Sequence, residues 1–191
     1  MNRLADVALA GIGLVLTSPV LAAAAAAIKL EDGGPVLYRQ TRVGKDGRDF
    51  EVLKLRSMVV GAEHRGAGYA VDRGDARITR VGRFVRRTSI DELPQLWNVV
   101  RGDMSVVGPR PTLRYQVERY DARQRRRLEV RPGLTGWAQV HGRAALPWAD
   151  RIELDVWYVE HRSPLLDLKI LVRTPLALFG GTYREGTGGW R

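Results

Sequence analysis

The run VALAGIGLVLTSPVLAAAAAAI, Val7 to Ile28, carries no charged side chain, and its reading decides what kind of molecule this is. At about 1.5 Å per residue a helix of this length reaches ~33 Å, enough to cross a bilayer. Three readings compete. The alanines at 22 to 27 suit the small-residue end of a secretory signal peptide. The length suits a spanning helix. Ser18-Pro19 near the middle suits a re-entrant helix that dips into one leaflet and returns: proline removes a backbone donor and kinks the helix, and the Ser18 hydroxyl is placed to satisfy a freed backbone group.

Arg3 is the only one of the 31 Lys and Arg side chains that precedes the run. Basic residues near an apolar segment favour the cytoplasmic side, so the charge pattern keeps the bulk of the chain in the cytoplasm. Against those 31 cations stand 21 Asp and Glu, a net charge of +10 that calls for an anionic partner: nucleic acid, a phosphorylated substrate or an acidic membrane surface. No cysteine is present, which removes disulfides, thiolate zinc sites and Cys nucleophiles. His64, His141 and His161 are too few for a His-rich metal site, which leaves oxygen-bound ions such as Mg²⁺.

Beyond the apolar run the pattern predicts an α+β domain: mostly helical, with a short β-hairpin. In PVLYRQTRVGKDGRDFEVLKLRSM (35–58) two strand-like runs flank the turn Gly44-Lys45-Asp46-Gly47. Residues 61–79 read as a loop with a helical turn. Val81, Phe84 and Val85 recur at helical spacing, a helix starts near Pro94 and stops at Gly102, and Met104 to Val107 is extended. Pro111 suits a first helical position, followed by Leu113, Val117 and Tyr120 on one face. Residues 131–143 read as loop with a short strand, and WADRIELDVWYVEHR as a further helix. The apolar segment 165–179 caps the core or lies in a membrane interface. This divides the chain into a membrane helix (1–29), one catalytic domain (30–180) and a flexible tail (181–191).

The chemistry concentrates in TSIDELPQLWN (88–98), where Asp91 and Glu92 stand together ahead of Pro94. Ser89 with Glu92 matches a capping box, but that register puts Pro94 where its missing N–H costs about 3 kcal/mol. Asp91 as N-cap avoids the cost, and the positive helix end then helps keep both carboxylates ionised. Helix capping alone accounts for such a pair. The arginines around it, Arg80, Arg83, Arg86, Arg87, Arg101 and Arg110, favour phosphate. An ionised carboxylate among phosphate-binding groups is what an Asp nucleophile attacking phosphorus requires, with a neighbouring Glu to hold Mg²⁺. Arg125, Arg126 and Arg127 read instead as a solvated or headgroup-facing basic surface.

Six segments in order give the chain its resemblance: Arg3-Leu4-Ala5-Asp6; Ser18-Pro19; GPVLYRQTRVGKDGRDFEVLKLRSM; RRTSIDELPQLWNVVRGDMSVVGPRP; RPGLTGWAQVHGR; and DVWYVEHRSPLLDLKIL. It resembles the monotopic phosphoglycosyl transferases of the bacterial sugar transferase family, of the minimal catalytic-core type. The resemblance implies transfer of a phosphosugar from a UDP-sugar to polyprenol phosphate with release of UMP. Asp91 corresponds to the nucleophile that carries the phosphosugar, Glu92 to the partner carboxylate associated with Mg²⁺, and Ser18-Pro19 to the break of a re-entrant helix. Lys54, Arg56, Arg86, Arg110 and Arg143 fall on basic motif positions expected to bind phosphate. Gln139, Asp155 and Asp167 also fall on motif positions, and each equally suits a buried hydrogen-bonding or helix-end role. His141 reads as a polar loop residue. The implied place is the bacterial inner membrane, with the site facing the cytoplasm where the donor is, which argues against a secreted chain.

Two rivals fit less well. A glycoside hydrolase needs its carboxylates on opposite sides of one bond, where sequence neighbours are poorly placed. A nucleic-acid module needs exposed stacking aromatics, whereas Trp97, Trp137, Trp148 and Trp157 lie in apolar-patterned contexts, so no nucleic-acid partner is expected.

Overall fold

A computed structural model describes residues 2–65, 71, 74–142 and 146–178. The apolar run lies in α1, Arg3–Asp32, which continues through Pro19 and ends at Gly33 in the left-handed conformation. Pro19 leaves the carbonyl of Val15 without its helical donor, and the Ser18 hydroxyl donates to that carbonyl at 2.8 Å. Thr17 makes a similar bond to Gly13 at 2.7 Å. This is the hydroxyl compensation expected at Ser18.

Both ends of α1 are built into the rest of the fold. At the start, Arg3 donates to the carbonyls of Val99 (2.5 Å) and Val100 (2.6 Å). Buried Asp6 accepts from the Ser105 hydroxyl (2.8 Å) and the Val106 amide (2.8 Å). Ala10 is fully buried in the core. At the far end, Glu31 accepts from the amides of Arg80 (2.7 Å) and Val81 (3.2 Å), and Asp32 pairs with buried Arg56. Between Ala10 and Ile28 no residue is fully covered, and Ile12, Val15, Leu16 and Val20 are exposed.

The hairpin forms as expected. β1 (Leu37–Val43) pairs antiparallel with β2 (Asp49–Leu55), with Tyr38 opposite Lys54 and Arg42 opposite Phe50. The turn needs positive φ at Asp46 and Gly47. A second, parallel pair joins β3 (Ser105–Val107) to β4 (Gly133–Thr135). Between them lie α2 (Arg80–Arg87) and α3 (Gln95–Arg101), and the described residues of 61–79 include a 3₁₀ turn at Ala62–His64.

The segment after Pro111 departs from the expected single helix. It holds two short ones, α4 (Arg114–Val117) and α5 (Ala122–Arg125), then a 3₁₀ turn. The break falls at Asp121, whose side chain caps the Gln124 amide at 2.8 Å while the Gln124 side chain accepts from the Asp121 amide. Pro111 precedes the helix rather than opening it. Residues 137–140 form a short helix, α6 (Trp137–Val140), within the expected loop.

The helices α7 (Trp148–His161) and α8 (Pro164–Leu178) close the domain. The main core joins Ala10 of α1, Leu96 and Val99 of α3, Val106 and Val107 of β3, Tyr158 and Val159 of α7, and Leu166 and Ile170 of α8. Leu165, Leu168, Val172 and Leu176 recur at helical spacing along α8 and are exposed. One face of α8 therefore caps the core while an apolar stripe faces outward. The expected tail, 181–191, lies outside the described residues.

Candidate active site

The segment 88–98 does not start a helix at Asp91 as the sequence suggests. Ser89 adopts φ 57°, a left-handed conformation uncommon for serine, and turns the chain sharply between α2 and α3. A 3₁₀ turn, Ile90–Glu92, follows, and α3 begins only at Gln95, with Pro94 preceding it as N-cap. Neither Ser89 nor Asp91 makes a side-chain cap here. Asp91 lies within the turn and its side chain is buried.

Glu92 is surrounded by cations. It accepts from Lys54 Nζ at 2.9 Å and from both Arg110 Nη atoms, at 2.5 and 3.2 Å. Burial works against its charge, but Arg110 and Lys54 outweigh it and hold the carboxyl well below the usual range. Asp91 accepts no hydrogen bond among the described residues. Burial, then the neighbouring Glu92 charge, push it up to about 6, against the pull of Lys54, Arg86 and Arg110. The expectation that a helix terminus keeps both carboxylates ionised is not met: no helix starts at Asp91, and it is Arg110 and Lys54 that keep Glu92 charged. Of the two, Asp91 takes up a proton first as pH falls.

The cations reach this point from three directions. Asn98 pins the edge of β2 to α3, donating to the Glu51 carbonyl (2.6 Å) and accepting from the Leu53 amide (3.0 Å), which fixes the strand that carries Lys54. Arg86, on α2, reaches the Ser57 hydroxyl at 3.3 Å. Arg110 sits in Gly108-Pro109-Arg110-Pro111, where three glycines meet. A Cβ on Gly133 would lie 2.1 Å from the Gly108 amide nitrogen, and one on Gly136 2.1 Å from the Gly108 carbonyl, so only glycine allows this loop to seat against β4.

The loop is held from behind by a residue the sequence reading placed on the surface. Arg127 is buried, donates to the Arg110 carbonyl at 2.9 Å, and pairs with Asp155 and the Tyr120 hydroxyl. Its neighbours in QRRR stay outside, Arg126 pairing with Glu160 at 2.6 Å. Asp155, expected to bind substrate, is fully committed to the interior. Burial pushes it up to about 6 despite the Arg127 charge beside it.

The structure thus brings together Asp91, Glu92, Lys54, Arg86 and Arg110. Arg56 instead serves the end of α1 through Asp32, with its Nε and Nη1 buried and unbonded. Gln139 is buried against Gly136 with its amide unbonded. Asp167 accepts from the Tyr158 hydroxyl at 2.7 Å inside the core. The exposed His141 bonds the Trp137 carbonyl. Arg143 lies outside the described residues. Among those residues no group of three or more His, Asp and Glu side chains stands together, so Asp91 and Glu92 are the carboxylates available to an ion at this site.

An ionisable carboxylate that accepts from none of the described residues stands inside a cationic cluster suited to phosphate, and comparison with known proteins gives the family. The family described as bacterial sugar transferase matches residues 1–181. The uncharacterized sugar transferase EpsL of Bacillus subtilis is 45% identical over 91% of this chain and 85% of its own length. A UDP-glucose:undecaprenyl-phosphate glucose-1-phosphate transferase of Caulobacter vibrioides is 48% identical over 91% of this chain and 67% of its own. A UDP-N-acetylgalactosamine-undecaprenyl-phosphate N-acetylgalactosaminephosphotransferase of Aeromonas hydrophila is 46% identical, and there the match covers only 44% of the relative. With the family profile matched over nearly its whole length, this chain belongs to the bacterial sugar transferase family.

Proposed function

We propose that the chain transfers a sugar 1-phosphate from a UDP-sugar to polyprenol phosphate in two steps through Asp91. An Asp91 carboxylate oxygen attacks the sugar-bearing phosphorus. The new O–P bond forms as the bond to the bridging oxygen breaks, and UMP leaves. An oxygen of polyprenol phosphate then attacks the same phosphorus, breaking the Asp91 O–P bond and giving the polyprenyl-diphosphate sugar and the free carboxylate. The observation that carries this reading is the contrast within the pair: Glu92 accepts from Arg110 and Lys54, while Asp91, beside the same cations, accepts from none of the described residues. The Caulobacter and Aeromonas relatives carry names that share a UDP-sugar and undecaprenyl phosphate and differ in the sugar, which supports the substrate classes.

Mg²⁺ fits this donor set, because it favours one or two carboxylates completed by substrate phosphates and water. Glu92 would hold it through Oε2, which accepts only the longer Arg110 bond at 3.2 Å, and the ion's charge would neutralise the diphosphate. Lys54, Arg86 and Arg110 then orient the phosphoryl oxygens and offset the charge that builds on them.

The long apolar helix supports membrane association. A helix whose two ends bond to one domain through Arg3 and Asp6 and through Glu31 and Asp32, with an uncovered apolar middle, favours entry and return on one face over crossing. The outward stripe of α8 supplies a second surface for lipid headgroups. The donor is cytoplasmic, so that face is the cytoplasmic face of the inner membrane.

Incubation with a UDP-sugar alone tests the reading. The expected products are UMP and a phosphosugar adduct on Asp91 by mass spectrometry, both absent in Asp91→Asn. Release of UDP instead would overturn it.

A further inference from the structure

The hairpin carries a further guanidinium, Arg42, whose charge meets no carboxylate partner among the described residues. Residues opposite each other in an antiparallel pair share a face, so Tyr38, Gln40 and Arg42 lie on the same side as Lys54, the side that reaches Glu92. Exposure alternates along β1 accordingly: Arg39 and Thr41 face solvent, while Gln40 and Arg42 are half-covered. Arg42 is held in place. Its Nε and Nη2 both donate to Gln40 Oε1, at 3.1 and 2.6 Å, and Nη1 points to the Pro111 carbonyl at 3.4 Å, in the loop that carries Arg110.

These partners are neutral. Lys54 and Arg110 share Glu92, and Arg39 on the opposite face has Glu51, but Arg42 bonds no carboxylate among the described residues. Burial, and then the Arg110 charge, push it down to about 10, while Tyr38, Glu92 and Tyr115 favour its charge. A fixed, partly desolvated cation beside another cation is a costly arrangement unless an anion comes to it. The guanidinium has five N–H donors, and the three bonds to Gln40 and Pro111 leave two of them open.

We propose that Arg42, oriented by Gln40, binds phosphate oxygens in the active site alongside Arg110. Two substrates of the proposed reaction offer that chemistry: the diphosphate of the nucleotide-sugar and the phosphate of the lipid acceptor. The inference therefore rests on the proposed function for its substrates, but not for its binding chemistry.

Three measurements on the full chain in nanodiscs test it. The first is independent of turnover: inorganic pyrophosphate should raise the melting temperature of the wild type and of Arg39→Met, and fail to raise that of Arg42→Met. A shift retained in Arg42→Met would overturn the proposal. The second is UMP release with donor alone, and the third is turnover at saturating donor with varied polyprenol phosphate. Arg42→Met should raise KM at least tenfold for one substrate, the donor or the acceptor, which identifies the phosphate bound. Arg42→Lys, which keeps the charge but loses the fork, should fall between. Both KM values within twofold of wild type would also overturn it, as would loss of both activities together with a lower melting temperature in the absence of ligand, which marks a structural role. If the wild type releases no UMP but Arg42→Met still loses the pyrophosphate response, the reaction assignment falls and the phosphate site stands.

Discussion

Asp91 and Glu92 are adjacent in the chain yet differ in partners: the Glu92 carboxylate accepts from Lys54 and Arg110, while that of Asp91 accepts from none of the described residues. One carboxylate is a fixed counter-charge and the other is available to react. Because like charges repel, holding Glu92 ionised makes Asp91 the carboxylate that takes up a proton first as pH falls.

The first prediction concerns pH. In the proposed reaction only the ionised Asp91 carboxylate attacks phosphorus, and its carboxyl is pushed up to about 6. The rate of adduct formation at limiting donor should rise with pH through about 6 and level off above it. A rate flat between pH 5 and 7.5 would exclude Asp91 as the titrating nucleophile.

The second concerns stability. A carboxyl raised from 3.8 to about 6 binds its proton more tightly folded than unfolded, so it lowers stability as pH climbs from about 4 to about 6, and the loss persists at pH 7. Asp91→Asn removes that burden. At pH 7.5 it should abolish adduct formation and stabilise the chain by about 1–3 kcal/mol, since one pKa unit is about 1.4 kcal/mol. Thermal unfolding in detergent checks this, and a lower melting temperature would contradict it.

A third prediction follows from the ion pair behind the Arg110 loop. Arg127→Met leaves Asp155 buried without its cation and frees the Arg110 carbonyl. The cost should be about 3–5 kcal/mol. Arg127→Met with Asp155→Leu removes both charges and should recover much of it, while donor binding stays impaired because the loop has lost its support. A double-mutant cycle read by chemical denaturation measures the coupling; additive effects would exclude it.

Topology supplies the fourth. The absence of cysteine makes single-cysteine reporters straightforward. Asn2→Cys and Pro35→Cys, one at each end of α1, should both react with an impermeant maleimide only from the cytoplasmic side, as tested on inverted and right-side-out vesicles. Labelling from opposite sides would mean the helix crosses.

Much of this architecture is legible in the sequence because local chemistry specifies it. The hairpin turn needs its glycine and Asp46, and the spacing of Ile152, Val156 and Val159 marks the inner face of α7. What escapes is set by distant partners. The left-handed Ser89 has no local signature, so Asp91 reads as a cap when it is a buried turn residue. The Asp121–Gln124 box that divides the helix after Pro111 is visible in YDARQ, but its apolar spacing reads as continuous. Asp155 falls on the same face of α7 as Ile152 and Val156, and a carboxylate there demands a buried cation. Which of the three arginines in QRRR answers it depends on the fold, and it is Arg127.

The anchoring of α1 also bears on how the protein comes into being. Its first turns fill the main core with Ala10 and supply Asp6 to Ser105 and Val106, while its last turn caps α2 and neutralises Arg56. A truncation after residue 32 would not yield a soluble catalytic fragment. It would leave a hole at Ala10, open the Ser105 strand and strand a buried guanidinium. On the proposed membrane reading, folding and insertion are linked: the globular part completes its interior with the two ends of a helix whose middle enters lipid.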